Sequence, residues 1–332
     1  MSQPLPDLTC AVRLAPVHIP KPWGQEIWYT GMEARGESDV LAGDQRLPLS
    51  DYLAIDPAAT CNEQDVLLLK ILDPDPTPVI GDLYFELHEE KREVYIVTHV
   101  DPGAWPDGCG GIRFGMNQEA RAACGDDGVF RDTFATAVAA YETVRRRIDR
   151  DPEAATGADR REELHLRNAM ERYTHMRPLT VGDVVRVPTL TPHALQHGVR
   201  VVEFQTPTYE RLIISFAQKV LTQDHWDTQS AVAQMHLDAP APEEFETVAP
   251  GVDRIARFED FNVWRVDAGN HEISLPTELP YAVCMGLSGL TCVGELQIGP
   301  EQACLIPRAA IDTHHVRAAE EKAQILIAAP GL

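Results

Sequence analysis

The chain has 332 residues, with 29 Lys and Arg against 51 Asp and Glu and a formal charge of −22. That field excludes nucleic acid and anionic membranes as partners, since neither is held without a segregated basic patch. Arg145-Arg146-Arg147 and Arg160-Arg161 are interleaved with acids and read as solvated helix faces. A phosphorylated small molecule stays compatible, because a few local cations outweigh a screened global charge. Seven scattered cysteines without a Cys-x-x-Cys pair point to reduced thiols in the cytoplasm. The start, Met1 to Pro6, lacks the basic and apolar stretches of a signal peptide, and no apolar run is long enough to cross a bilayer.

Along the chain, residues 1 to 80 mix short strand-like runs with turns, as in Lys21-Pro22-Trp23-Gly24 leading into Glu26-Ile27-Trp28-Tyr29. Trp23, Trp28 and Tyr29 are expected to pack rather than form a carbohydrate platform. Leu83, Phe85 and Leu87 alternate with Tyr84, Glu86 and His88, the period of a half-buried strand. The polar turn Glu89 to Arg92 leads into a second strand, Glu93 to Val97. From about 116 to 177 the Ala-, Arg- and Glu-rich composition predicts helices, interrupted near Asp151-Pro152. Strands are predicted again over 183–187, 199–205 and 211–216. A polar, Pro-rich segment, 222–250, reads as a connection to a further all-β unit, 251–332.

Residues two apart on a strand share a face, so Glu86 and His88 point the same way, and the turn returns Glu93 beside them. His193 follows Pro188 and Pro192 in a tight turn. Two imidazoles and two carboxylates suit a divalent cation: zinc first, with iron (Fe2+), manganese (Mn2+) or nickel (Ni2+) as alternatives. Singly, each residue is equally at home as surface or turn decoration; their joint order carries the reading. His99 reads as a structural histidine near the pocket rim. His165, His175 and His225 read as solvent-facing, and His314-His315 as too isolated for a second metal site.

That order resembles the paired motif of the cupin barrel. Gly182 through Pro188 and His193 fit its second half, with Leu190 where Gly is usual and His197 where Asn is usual. Gly81, Glu86, His88, Glu93 and Gly103 fit its first half, with Glu86 replacing a His and a longer spacing to Gly103. More closely, Lys21-Pro22-Trp23-Gly24, Leu67 to Asp73, Glu86-Leu87-His88, Lys91-Arg92-Glu93, Val187-Pro188 to Ala194 and Val202-Glu203-Phe204-Gln205 resemble type I mannose-6-phosphate isomerases in their short bacterial form.

The resemblance implies a mainly β fold of two cupin-like (jelly-roll) β-barrel domains. The metal-binding one is expected at 1–221, with a helical insertion at about 116–177, and a degenerate one at 251–332. It also implies zinc held by Glu86, His88, Glu93 and His193, with Lys91 and Arg211 as pocket cations. The expected reaction is aldose–ketose isomerisation of a small-molecule sugar phosphate, mannose 6-phosphate to fructose 6-phosphate by default. Arg211 would stabilise the developing oxyanion, and Glu203, Lys91 or a metal-bound hydroxide would shuttle the proton. Glu86 stands in place of the family's Gln, Glu89 in place of a Pro, and the segment before Arg211 is short and lacks the family's Ser-Asp. A non-catalytic sugar-binding or regulatory cupin and an iron-dependent cupin oxygenase are the alternatives; the oligomeric state is not readable.

Overall fold

The computed structural model describes residues 5–269, 272–320 and 322–331. It is mainly β and stacked in layers. A six-stranded antiparallel sheet runs in the order Val184–Val187, Glu93–Val100, Val199–Gln205, Leu68–Pro74, Gly24–Trp28, Val17–Lys21. Its central strands are buried on both faces, and their alternation decides what each face does. Val94, Ile96, Leu69, Ile71, Val202 and Phe204 point into one apolar cluster. The intervening positions put Glu93, Tyr95, Lys70 and Glu203 along a pocket on the other face.

A five-stranded sheet, in the order Thr174–Leu179, Gly110–Met116, His193–Leu195, Phe85–Leu87, Leu212–Ser215, packs over that second face. The two share a cluster that includes Tyr95, Val97, Phe114, Leu195 and Ile213. The outer face of the five-stranded sheet carries the helix Asp127–Arg150, whose N-cap Asp126 accepts from the backbone N–H groups of Gly128 and Val129. Phe130, Phe134, Val138, Tyr141, Val144 and Ile148 recur at helical spacing and are its buried stripe. Gln118–Cys124 and Gly157–Glu171 flank it. No helix among the described residues is long and apolar enough to cross a membrane.

The first cluster's far wall belongs to a nine-stranded sheet built mostly from Glu246–Ala249 onward. The nine-stranded sheet draws strands from both ends of the chain. Val12–Ala15 pairs antiparallel with Ala303–Ile306 on one side and with Asp39–Ala42 on the other, so the chain's first strand is stitched into the C-terminal half. Nor is 222–250 a bare connection: it holds the helix Thr228–Gln234, whose Ala231 and Val232 are buried under the helical layer. Apolar Ala, Val and Met at that spacing are the missed signal.

Candidate metal centre

Glu86 sits mid-strand in Phe85–Leu87 and lies directly across from His193, the first residue of His193–Leu195. His88 follows the same strand, and Glu93 opens its own strand in the facing sheet. The turn before His193 bends at Leu190, which has φ +60°, a left-handed value that glycine takes freely and a bulky side chain resists. Its N–H donates to the His88 carbonyl at 2.7 Å. The motif's usual Gly position therefore keeps its glycine-like backbone, held by a ligand-bearing strand.

One ligand atom each from Glu86, His88 and His193 lies within 4.8 Å of the others. Glu93 closes the group: its Oε1 is 3.4 Å from His88 Nε2 and its Oε2 is 3.1 Å from His193 Nε2. The hydrogen bonds fix the tautomers. His88 Nδ1 faces the Glu210 carbonyl at 2.9 Å and His193 Nδ1 faces the Thr191 carbonyl at 3.0 Å. A carbonyl only accepts, so both Nδ1 atoms donate, and both Nε2 atoms are turned toward Glu93, that of His193 within hydrogen-bond distance of Oε2.

Glu93 is already supplied with donors: Lys91 Nζ reaches Oε1 at 2.6 Å and the Tyr95 hydroxyl donates to Oε2 at 2.6 Å. His88 Nε2 and Glu86 Oε2 are buried with no hydrogen-bond partner among the described residues. Two imidazole nitrogens and two carboxylates converging in a buried space make a donor set for a cation. Atoms about 2.0–2.1 Å from one zinc ion at tetrahedral angles stand roughly 3.3–3.4 Å apart, close to the distances from Glu93 to the two imidazoles. The donor set fits a divalent metal, and the Nδ1-to-carbonyl bonds are the outer contacts that metal-binding imidazoles require.

The surrounding charges are ordered along the sheet. Burial opposes ionisation of Glu93, but Lys91 and both imidazoles hold its carboxyl well below the usual range. Burial, then Lys91, pushes His88 down. For His193 burial also acts downward, and the contact with Glu93 overcomes it. Glu203 lies across the ladder from both Tyr95 and Lys70. Burial first, then the charge on Glu93, pushes its carboxyl well above the usual range, while Lys70 Nζ, 3.2 Å away, acts the other way. Lys70 stays charged: against burial, Glu203, Glu26 and Glu93 all favour the ammonium. Glu26 in turn pairs with Lys21 at 3.1 Å and accepts from Trp28 Nε1 at 2.7 Å.

Of the residues expected from the sequence, all seven line this region. Arg211 Nη1 stands 3.6 Å from Glu86 Oε2, with its guanidinium 4.3 Å from the Tyr84 ring centre. Lys91 is committed to Glu93 and lends charge rather than a free hand for substrate. His99 is exposed, away from the pocket, where a register shift in the strand turns it out. His197 is also outside: its Nδ1 lies 2.7 Å from Asp82 and its ring stacks on Trp105. His165, His175 and His225 are exposed. Lys70, Glu26, Tyr95 and Glu210 also belong to the site and are not among the residues expected from the sequence. A lysine inside the apolar run Leu67 to Leu72 was the available signal for the first.

With this geometry in view, three solved structures are similar over nearly the whole chain. A mutant phosphomannose isomerase from Salmonella typhimurium aligns at TM-score 0.73 and 12% identity, covering 97% of this chain and 100% of its own. A zinc-bound holo mannose 6-phosphate isomerase aligns at 0.71 and 12%, with the same coverage. The mannose 6-phosphate isomerase from Bacillus subtilis aligns at 0.65 and 15%, covering 96% and 99%. The chain has the fold of the mannose 6-phosphate isomerases. No family model and no curated protein matches its sequence. The fold resemblance first drawn from short motifs is thus matched across the chain, at an identity that leaves the chemistry to be argued from the site.

Proposed function

We propose that the protein is a metal-dependent aldose–ketose isomerase of a sugar phosphate, with mannose 6-phosphate and fructose 6-phosphate as the first pair to test. The observation that carries this reading is the convergence of two imidazole nitrogens and two carboxylates beside the buried Glu203 and a charged Arg211 in one pocket. The same reading takes the two halves as cupin units, the first with its helices inserted, and the metal as zinc. Free thiols at all seven cysteines support a cytosolic setting.

Isomerisation moves one proton between adjacent carbons and one between their oxygens, through an enediolate. A bound zinc ion would supply Lewis acidity at the substrate's carbonyl and hydroxyl. Glu86, His88, Glu93 and His193 would hold it, and Lys91 and Tyr95 keep Glu93 aimed at it. Arg211 stabilises the oxyanion as charge develops; its stacking on Tyr84 and bond to Thr222 limit reorganisation during the step. Ionised Glu203 would take the proton from one carbon, leaving the enediolate, and as the acid would return it to the neighbouring carbon. Its Oε2 is paired with Lys70 Nζ, and Oε1 has no hydrogen-bond partner among the described residues and is left for that exchange. Lys70 limits the charge it then bears.

The test is metal content and isomerase activity of the wild type and His193→Ala. One equivalent of zinc and turnover of mannose 6-phosphate, lost together in the variant, are expected. Bound zinc with no turnover of any sugar phosphate would favour a sugar-binding protein. Bound iron with dioxygen uptake would favour an oxygenase.

A further inference from the structure

The short segment before Arg211 does more than lead to it. Glu210 turns back on the turn after His88: its two carboxylate oxygens each accept the Glu89 N–H at 3.0 Å, and Oε2 also accepts the Glu90 N–H at 3.2 Å. The Lys91 N–H reaches the same oxygen at 3.5 Å. Successive amides aimed at one carboxylate form an anion nest, and charge-assisted bonds of this kind are the strong ones. The same residue's carbonyl accepts His88 Nδ1–H. At the other end of the segment, Thr206 and Arg92 exchange bonds, Thr206 N–H to the Arg92 carbonyl at 3.0 Å and Arg92 N–H to Thr206 Oγ1 at 3.1 Å.

We infer that Glu210 is a positioning residue for the metal centre, fixing the orientation of His88 and the approach of Arg211 to Glu86 through its hold on the 89–91 amides. The inference rests on the metal-centre reading above. The His88 ring is oriented by the carbonyl at its Nδ1, and the side chain of that carbonyl's own residue is clamped to the chain running on from His88. Arg211, the next residue, is carried to 3.6 Å from Glu86 by the same clamp. One substituted side chain would loosen two of the four ligands at once, without touching either. The sequence expectation of an altered, short segment here acquires a physical meaning: the carboxylate replaces reach with a direct tie.

The experiment measures zinc affinity of the demetallated full-length protein by competition with a chromophoric chelator, for wild type, Glu210→Ala and Glu210→Gln. Thermal unfolding without metal is followed in parallel. Removing an outer contact of a metal-binding histidine typically weakens binding about 10–100-fold, and that loss is expected for Glu210→Ala. Glu210→Gln keeps one oxygen for the nest and is expected to retain affinity within about threefold, since shape is kept and only charge assistance is lost. Alanine and wild-type proteins binding zinc equally would overturn the inference, even if the alanine variant melts earlier, for that is what a merely structural clamp would do. A wild type that binds no zinc would overturn the metal-centre reading itself, and this inference with it. Neither outcome depends on isomerase activity.

Discussion

Glu26 offers a quantitative test of the charged floor on which the proposed chemistry rests. Its carboxylate is buried between Lys21 and Lys70, with the Trp28 N–H on one oxygen. Burial raises its pKa, but the two ammonium groups and the indole more than reverse that, bringing it from 4.5 to about 2. At 1.36 kcal/mol per pH unit, this fall corresponds to about 3 kcal/mol of native-state stabilisation at neutral pH. Because the folded value is depressed, the contribution is complete above pH 4.5 and is lost as pH falls from there toward about 2. Glu26→Gln keeps the shape and removes the charge, so it should lower stability by about 2–3 kcal/mol at pH 7. Urea unfolding of both proteins, repeated at pH 7, 5 and 3, reads the difference. The gap should be equal at the two higher values and clearly smaller at the lowest. A gap that is the same at all three would show that the loss is one of packing, and the ordered ladder from Lys21 to Glu203 would lose its electrostatic basis.

Arg211→Met keeps an apolar stem over Tyr84 and removes the charge; steady-state kinetics should show kcat falling about 10²–10³-fold, as for loss of a positioned oxyanion donor, with KM changed far less. Glu203→Gln should abolish turnover while leaving zinc stoichiometry intact, since the amide cannot shuttle a proton. For Asp82, burial acts upward, but the bonds from the His197 ring and backbone hold it below 3.8. Asp82→Asn should therefore cost about 1.5–3 kcal/mol at neutral pH, a difference that shrinks in urea titrations as pH falls below 3.8. Phe134→Ala, in the fully buried stripe of the long helix, should destabilise by about 3–5 kcal/mol in the same assay.

What could be read from the sequence divides along the range of the interaction. Period-two alternation is local, and it placed Glu86 and Glu93 on strands that are indeed there. The helical stripe from Phe130 to Ile148 is local too, and the composition of that stretch shows it. Sheet membership is not local. Nothing in Val12 to Ala15 says that its partner is Ala303 to Ile306, because any short apolar strand offers the same backbone donors and acceptors. The site divides in the same way. Its ligand-type residues were legible because a motif orders them along the chain, even where Leu190 and Glu86 depart from it. The residues that set their charge were not. Lys70 meets Glu203 only because their two strands pair in one register, and a slip of one residue would turn one of them away from the pocket. Glu210 meets the 89–91 amides across more than a hundred residues of chain, through a backbone conformation that no pattern of side chains encodes. The same motif can therefore hold a metal with different neighbours around it. In this fold the neighbours supplied by long-range pairing, rather than the motif, determine which charges surround the ligands.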